Sequence, residues 1–286
     1  NSWKKQSQKI LEKVKPIFNK NNAILDIIET THPGHTKELA NQTDLINYDA
    51  FIAIGGDGTL LELVNGMLTR YDNLKIPIGI IPGGSGNSYM HDLGLTDPID
   101  AANAILKGVK RLVDTIKIDT NNETQYAMNM IGWGLVADVG KTAEKCRWLG
   151  PNRYTILSIL EVLRKKNHFA TISIDNKKLE DNFTFIIACN SIHVGRGMKM
   201  APKAVLDDGL IDLIVVRANI SRFRLLQTLP KLFKGTHINE PEVSYYQANQ
   251  FSLYPKENVT LNIDGETMGT TPINVEIISK NIEIFS

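Results

Sequence analysis

The chain has 286 residues, of which 42% are apolar and 22% charged, with a formal net charge of +1. This composition describes a folded chain with a substantial core, and the near-neutral charge supplies no field to attract nucleic acid or a strongly anionic membrane. No apolar run approaches the roughly 20 residues that cross a bilayer, so any membrane contact is peripheral.

In chain order, residues 7–18 read as an amphipathic helix and residues 23–30 alternate like a strand. A loop with His32 and His35 follows, then a helix from 36 to 41. The helix-like start has no strand before it, which reads as a beginning inside an element of a longer chain. Phe51-Ile52-Ala53-Ile54 is an apolar run suited to a buried strand. It ends in Gly55-Gly56-Asp57-Gly58-Thr59, and a helical pattern follows from 60 to 68. A second short strand, 76–81, ends in Pro82-Gly83-Gly84-Ser85-Gly86-Asn87, and residues 97–107 form a helix with Pro98 in its first turn. This alternation predicts a parallel, doubly wound α/β domain over residues 1–114.

After Arg111 the texture changes. Runs at 113–118, 125–131, 170–174, 183–188, 210–217, 250–253, 259–263 and 273–278 are short and β-rich. They predict an antiparallel sandwich or barrel over residues 115–286, interrupted by helices at 152–166 and 222–233. Cys146 and Cys189 lack metal-like spacing and read as free thiols of a reducing compartment. The six histidines are scattered, and the five Asn-x-Ser/Thr sequons read as chance matches.

Strand, glycine loop and helix N-terminus is the geometry in which backbone N–H groups converge on an anion, usually phosphate. Two such loops on consecutive strands reach one edge of a parallel sheet, where Thr59, Ser85 and Asn87 add donors. The alternative is two tight turns that need positive φ. Asp57 can take a proton from a hydroxyl or hold Mg²⁺, or simply bond its local backbone. Asp264-Gly265-Glu266 offers two carboxylates around a glycine for a shared metal, or a plain hairpin turn. Arg147 and Arg153 have the charge to reach phosphates or lie solvated on the surface.

As an ordered series these segments resemble the diacylglycerol-kinase-type lipid kinases, most closely the sphingosine and ceramide kinase branch. The series comprises Gly55-Gly56-Asp57-Gly58-Thr59 with Glu62-Leu63-Val64-Asn65-Gly66, the Pro82–Asn87 loop, and Trp133-Gly134-Leu135-Val136-Ala137-Asp138-Val139. Glu144-Lys145-x-Arg147-Trp148-Leu149-Gly150, the segment from Ala201 to Leu210, and Asp264-Gly265-Glu266 complete it. The resemblance implies ATP- and Mg²⁺-dependent phosphorylation of a lipid hydroxyl by a cytoplasmic, peripherally membrane-associated enzyme.

By that analogy Asp57 is the general base or metal organiser. Thr30, Gly55, Gly56, Gly58, Thr59, Gly84, Ser85, Gly86, Asn87, Arg147 and Arg153 contact the nucleotide, with Asp264, Gly265 and Glu266 beside it. Asp264 and Glu266 hold the metal directly or through water, and Leu135, Val136, Asp138, Val139, Tyr154 and Ser158 line the lipid. Two departures stand out. The family's first strand and its Asn-Pro-x-Ser-Gly loop are absent, and Gly140 stands where sphingosine kinases carry an acid that meets the lipid amine. The acceptor therefore stays open between a sphingoid base, ceramide and a diacylglycerol-like lipid. The competing readings are a soluble-metabolite kinase of the NAD-kinase type and a non-catalytic pseudokinase.

Overall fold

The structure, a computed structural model, describes every residue except Asn1, Ser85, Asn122, residues 147–152 and Arg196, and leaves the side chains of residues 2–5, 144–145 and 153–155 undescribed. Two compact units result, one of residues 1–113 with 280–286 and one of residues 114–279. The last seven residues thus belong with the first unit, where Ile282 and Ile284 are at most 1% exposed.

The first unit contains helices α1 (Ser2–Lys20) and α2 (His35–Gln42), strand β1 (Phe51–Gly55), helix α3 (Asp57–Leu68), strand β2 (Ile78–Pro82), and helices α4 (Ser88–Asp92) and α5 (Pro98–Lys107). β1 and β2 run parallel, with Phe51 opposite Ile78 and Gly55 opposite Pro82. In-register parallel pairing makes both glycine loops leave the sheet at the same end. Ile10, Val14 and Phe18 of α1 and Ala102 and Ile105 of α5 pack with Ile52, Ile54 and Ile81. Each fully buried Val, Ile or Phe among them contributes about 1.5–3 kcal/mol. α5 starts where the Asp97 carboxylate accepts the N–H groups of Ile99 and Asp100, and stops at left-handed Gly108.

Residues 23–30 form no strand, contrary to the sequence pattern. A strand exists only with a paired neighbour, and among the described residues β1 pairs with β2 alone. Ile24, Ile27 and Ile28 are 97%, 44% and 58% exposed in this unpaired segment.

The second unit is β-rich and largely antiparallel. Its strands are β3 (Lys110–Thr120), β4 (Thr124–Ala127), β5 (Met130–Gly134), β6 (His168–Ile174), β7 (Lys177–Cys189), the two-residue pair β8 (His193–Val194) and β9 (Met198–Lys199), and β10 (Ile211–Arg217). β11 (Val243–Ala248), β12 (Gln250–Pro255), β13 (Thr260–Ile263), β14 (Glu266–Thr270) and β15 (Ile273–Phe285) follow, the first four residues of β3 and the last six of β15 being counted with the first unit. β7 is central and pairs with β5, β6 and β10, which is why Phe183, Thr184 and residues 186–189 are buried without alternation.

Helices α6 (Leu135–Lys145), α7 (Arg153–Arg164) and α8 (Arg222–Thr228) interrupt the strands. α6 had no counterpart among the expected elements. The helix expected over 222–233 ends as α helix at Thr228 and tightens into a 3₁₀ segment, Leu229–Lys234, because Pro230 cannot continue the ladder. The single run expected at 125–131 is split into β4 and β5 where Asp264 takes three backbone N–H groups, those of Met128, Asn129 and Met130.

Candidate functional site

In the first unit the two glycine loops touch. The Gly83 N–H donates to the Gly55 carbonyl at 2.7 Å, and the Gly84 N–H donates to Asn87 Oδ1 at 3.0 Å, with Asn87 Nδ2 returning a bond to the Gly84 carbonyl. A Cβ on Gly84 would lie 2.6 Å from Gly56 Cα and 2.7 Å from Asn87 Oδ1. Gly55, Gly56, Gly83 and Gly84 all avoid the left-handed region, so crowding, not positive φ, explains Gly55, Gly56 and Gly84: Gly56 and Gly84 face each other across the two loops, and a side chain on Gly55 would strike Thr59 of its own loop. The left-handed residue is Asn87, at φ 49°.

Asp57 sits at this junction. Its Oδ1 accepts the Tyr89 N–H at 3.3 Å, and a Cβ on Gly86 would lie 3.0 Å from its Oδ2. Burial raises the Asp57 carboxyl above its ordinary range, while the N–H groups of Ser88 and Tyr89, the Ser88 hydroxyl and His91 pull it partly back. The first N–H groups of α3, at Asp57 and Gly58, have no acceptor inside the helix, so they and the helix dipole favour an anion here. Thr59 folds back over Gly55, where a Cβ would meet its Oγ1 at 2.2 Å.

Thr30 lies exposed in the unpaired segment. The loop after it is tied to α3 by a residue whose role the sequence did not reveal. Glu62 Oε1 accepts the Gly34 N–H at 2.8 Å and its Oε2 accepts the Thr36 N–H at 3.2 Å, closing the N-terminus of α2. Its position on α3, five residues beyond Asp57 in the same motif, was the available signal.

The second unit brings the other expected residues together around α6. Asp264 and Gly265 form a two-residue turn with φ 49° and 93°, joining β13 to β14 with Ile263 opposite Glu266. Asp264 is 5% exposed, and its carboxylate accepts the Met128 N–H on Oδ2 and the Asn129 and Met130 N–H groups on Oδ1, at 2.7–2.9 Å. That bonding staples the turn to the start of β5. Leu135 and Val139 are core residues, packed with Met130, Val162, Ile187 and Leu225, and Val136 packs against the same cluster. Asp138 is pushed above the ordinary carboxylate range by burial, with Lys166 opposing and Glu161 adding to the rise. Ser158 is half-buried on α7.

Ser85 and Arg147 lie outside the described residues, as do the side chains of Arg153 and Tyr154. Asn262, which opens the same motif and to which the sequence gave no role, stands two positions before Asp264. Its Oδ1 accepts the Gly265 N–H at 3.1 Å, and its Nδ2 lies where a side chain on Gly140 would begin.

Among the described residues no three His, Cys, Asp or Glu side chains converge as a metal cage. Mg²⁺ keeps several waters and is commonly held by one or two carboxylates together with substrate phosphates. The partly buried Asp57 carboxylate beside the two glycine loops fits that mode.

Residues 1–118 match the diacylglycerol kinase catalytic domain, and residues 129–286 match the YegS C-terminal NAD kinase beta sandwich-like domain. The chain belongs to the diacylglycerol-kinase family of lipid kinases. It is 30% identical to sphingosine kinase 1 of Arabidopsis thaliana over 93% of this chain and 66% of that protein. It is 31% identical to the diacylglycerol kinase of Bacillus subtilis over 85% of this chain and 79% of that protein. The chain thus spans about two-thirds of the length of the plant kinase it matches. A solved structure from Bacillus anthracis, provisionally assigned as a diacylglycerol kinase, aligns with a TM-score of 0.80 at 24% identity, covering 97% of this chain and 91% of that one. An NAD kinase from Archaeoglobus fulgidus aligns at 0.52 and 13% identity over 96% of this chain and 89% of that one, a likeness of fold alone.

Proposed function

We propose that this chain transfers the γ-phosphoryl group of ATP to a primary hydroxyl of a lipid, a sphingoid base, ceramide or diacylglycerol. The observation that carries the reading is the contact between the two glycine loops, with a partly buried Asp57 carboxylate at their junction. The sequence relatives are sphingoid-base and diacylglycerol kinases, which favours a lipid over NAD as the acceptor.

In this reading the loops Gly55–Thr59 and Pro82–Asn87 approach the phosphates through backbone N–H groups. Thr30, Arg147 and Arg153 add contacts to the nucleotide. Asp57 takes the proton of the attacking hydroxyl; the new bond forms from that oxygen to the γ-phosphorus, and the bond to the bridging oxygen breaks, leaving ADP. Burial makes Asp57 a stronger base than an exposed aspartate, which suits this step. Such reactions depend mostly on positioning and charge neutralisation, so few reactive side chains are needed. Mg²⁺, when bound with the nucleotide, neutralises phosphate charge. Glu266 is assigned to it through water, beside Asp264, whose three backbone bonds give it the further task of holding the turn.

The lipid is assigned to Leu135, Val136, Asp138, Val139, Tyr154 and Ser158 on α6 and α7, of which Leu135, Val136 and Val139 belong to the apolar cluster under α6. Peripheral attachment to a cytoplasmic membrane face is part of the proposal. Ile156, Ile159, Leu160 and Leu163 on α7 are 37–53% exposed and Phe223 on α8 is 67% exposed. Arg164, Lys165, Lys166 and Arg222 flank them, the pattern of a helix that lies in a membrane interface. No helix among the described residues is long and apolar enough to cross a membrane.

The test is phosphoryl transfer from radiolabelled ATP to sphingosine, ceramide, diacylglycerol and NAD, side by side. Label on at least one lipid and none on NAD is expected; label on NAD alone would replace the lipid reading with a metabolite kinase.

A further inference from the structure

Asn262 lies in β13 opposite Gly132 of β5 and Thr267 of β14 and is 3% exposed. The Gly265 N–H bonded to Oδ1 fixes which end of the carboxamide is oxygen, so the nitrogen faces α6. A Cβ on Gly140 would lie 2.0 Å from Nδ2 and 3.1 Å from Cγ. The amide therefore occupies the volume that any side chain at position 140 requires. Gly132 clears the other approach: its Cβ would meet Val136 at 2.5 Å and Asn262 Cβ at 3.6 Å.

Among the described residues Nδ2 has no hydrogen-bond acceptor, and it is not one of the polar atoms sealed from solvent. Buried amides are normally bonded at both ends. A donor held rigidly at one end and open at the other is suited to a ligand oxygen. The turn that carries it is itself fixed by the three N–H groups on Asp264, so the carboxamide cannot easily swing to another partner.

We infer that Asn262 determines acceptor specificity: Nδ2 donates to a neutral oxygen of the lipid headgroup, an ester or amide carbonyl or a hydroxyl. It thereby selects uncharged glycerolipids and ceramide-like lipids against a protonated sphingoid base. An N–H donor and an ammonium group are both donors with like partial charges, so they repel, whereas a carboxylate in the same place would attract the amine. Gly140 belongs to the same device, because an acid there is excluded while Asn262 fills the space. The inference rests on the lipid-kinase reading of this site.

The test uses Asn262→Asp, which keeps Oδ1 for the Gly265 N–H and exchanges the donor for a charged oxygen. The kcat/KM values for diacylglycerol and sphingosine are measured in identical mixed micelles, with thermal melting with and without ATP–Mg²⁺ alongside. Wild type is expected to prefer diacylglycerol, and N262D to move the sphingosine-to-diacylglycerol ratio upward by about tenfold or more with the nucleotide-induced shift retained. If N262D does not fold, Asn262→Ser is expected to lower diacylglycerol turnover without raising sphingosine turnover. A folded variant whose ratio is unmoved, or a wild type that prefers sphingosine, overturns the inference and leaves the kinase reading standing. A wild type that phosphorylates no lipid removes both.

Discussion

Replacing Asp57 by Asn separates chemistry from architecture at the centre of the proposed site. An Asn can keep an oxygen for the Tyr89 N–H, which now bonds Oδ1 at 3.3 Å, so the start of α4 stays closed. The charge that burial penalises is removed, and the compensating bonds from Ser88 and Tyr89 weaken, so the two effects offset. Folding stability is expected to change by no more than about 1 kcal/mol. The proton acceptor is gone, however, and a positioned general base contributes about 10²–10⁴ in rate, or about 3–5 kcal/mol of barrier. Initial rates with radiolabelled ATP and lipid vesicles should fall by that factor, while melting temperature and the ATP–Mg²⁺-induced shift persist. A D57N protein with unchanged kcat refutes the base role. One that has lost both activity and fold shows that the carboxylate serves α4 instead.

Gly84→Ala should push the two loops apart, since its methyl would sit 2.6 Å from Gly56 Cα; KM for ATP should rise by about tenfold or more at little change in lipid KM, read from the two saturation curves. Asp264→Ala strips the acceptor from three backbone N–H groups and should cost about 3 kcal/mol or more, seen as a lower urea midpoint. An unchanged midpoint would mean that the turn holds without it. Asp212, fully buried in β10, has its carboxyl raised by burial from 3.8 to about 6, with the Tyr245 hydroxyl bond opposing. A carboxyl raised on folding favours the folded state below its unfolded pKa, and that advantage is lost as pH rises to the folded value. The contribution should therefore fall by about 3 kcal/mol between about pH 4 and pH 6. Asp212→Asn should flatten that part of the stability profile, and an identical slope in both proteins would contradict the assignment.

The sequence by itself determined the local chemistry. Glycine runs at the ends of β1 and β2 declared the two loops, and short β-branched runs declared the β-rich second part, because backbone freedom and side-chain alternation are properties of neighbouring residues. The ordered series of motifs was specific enough to mark the family. Tertiary structure decided whatever depends on a partner distant in the chain. Residues 23–30 have the alternation of a strand and no neighbour to pair with. Position 140 is glycine because Asn262, far along the chain, fills its side-chain volume. Asp264, legible from its motif as a metal ligand or a turn, accepts three N–H groups from residues 128–130 and thereby ends β4 and begins β5. The glycines around Asp57 looked like turn residues, yet their φ values are ordinary; Gly56 is glycine because the second loop approaches at Gly84, and Gly55 because Thr59 folds back over it. Hydrogen-bond satisfaction and excluded volume are settled between segments, and no local pattern encodes which segments will meet.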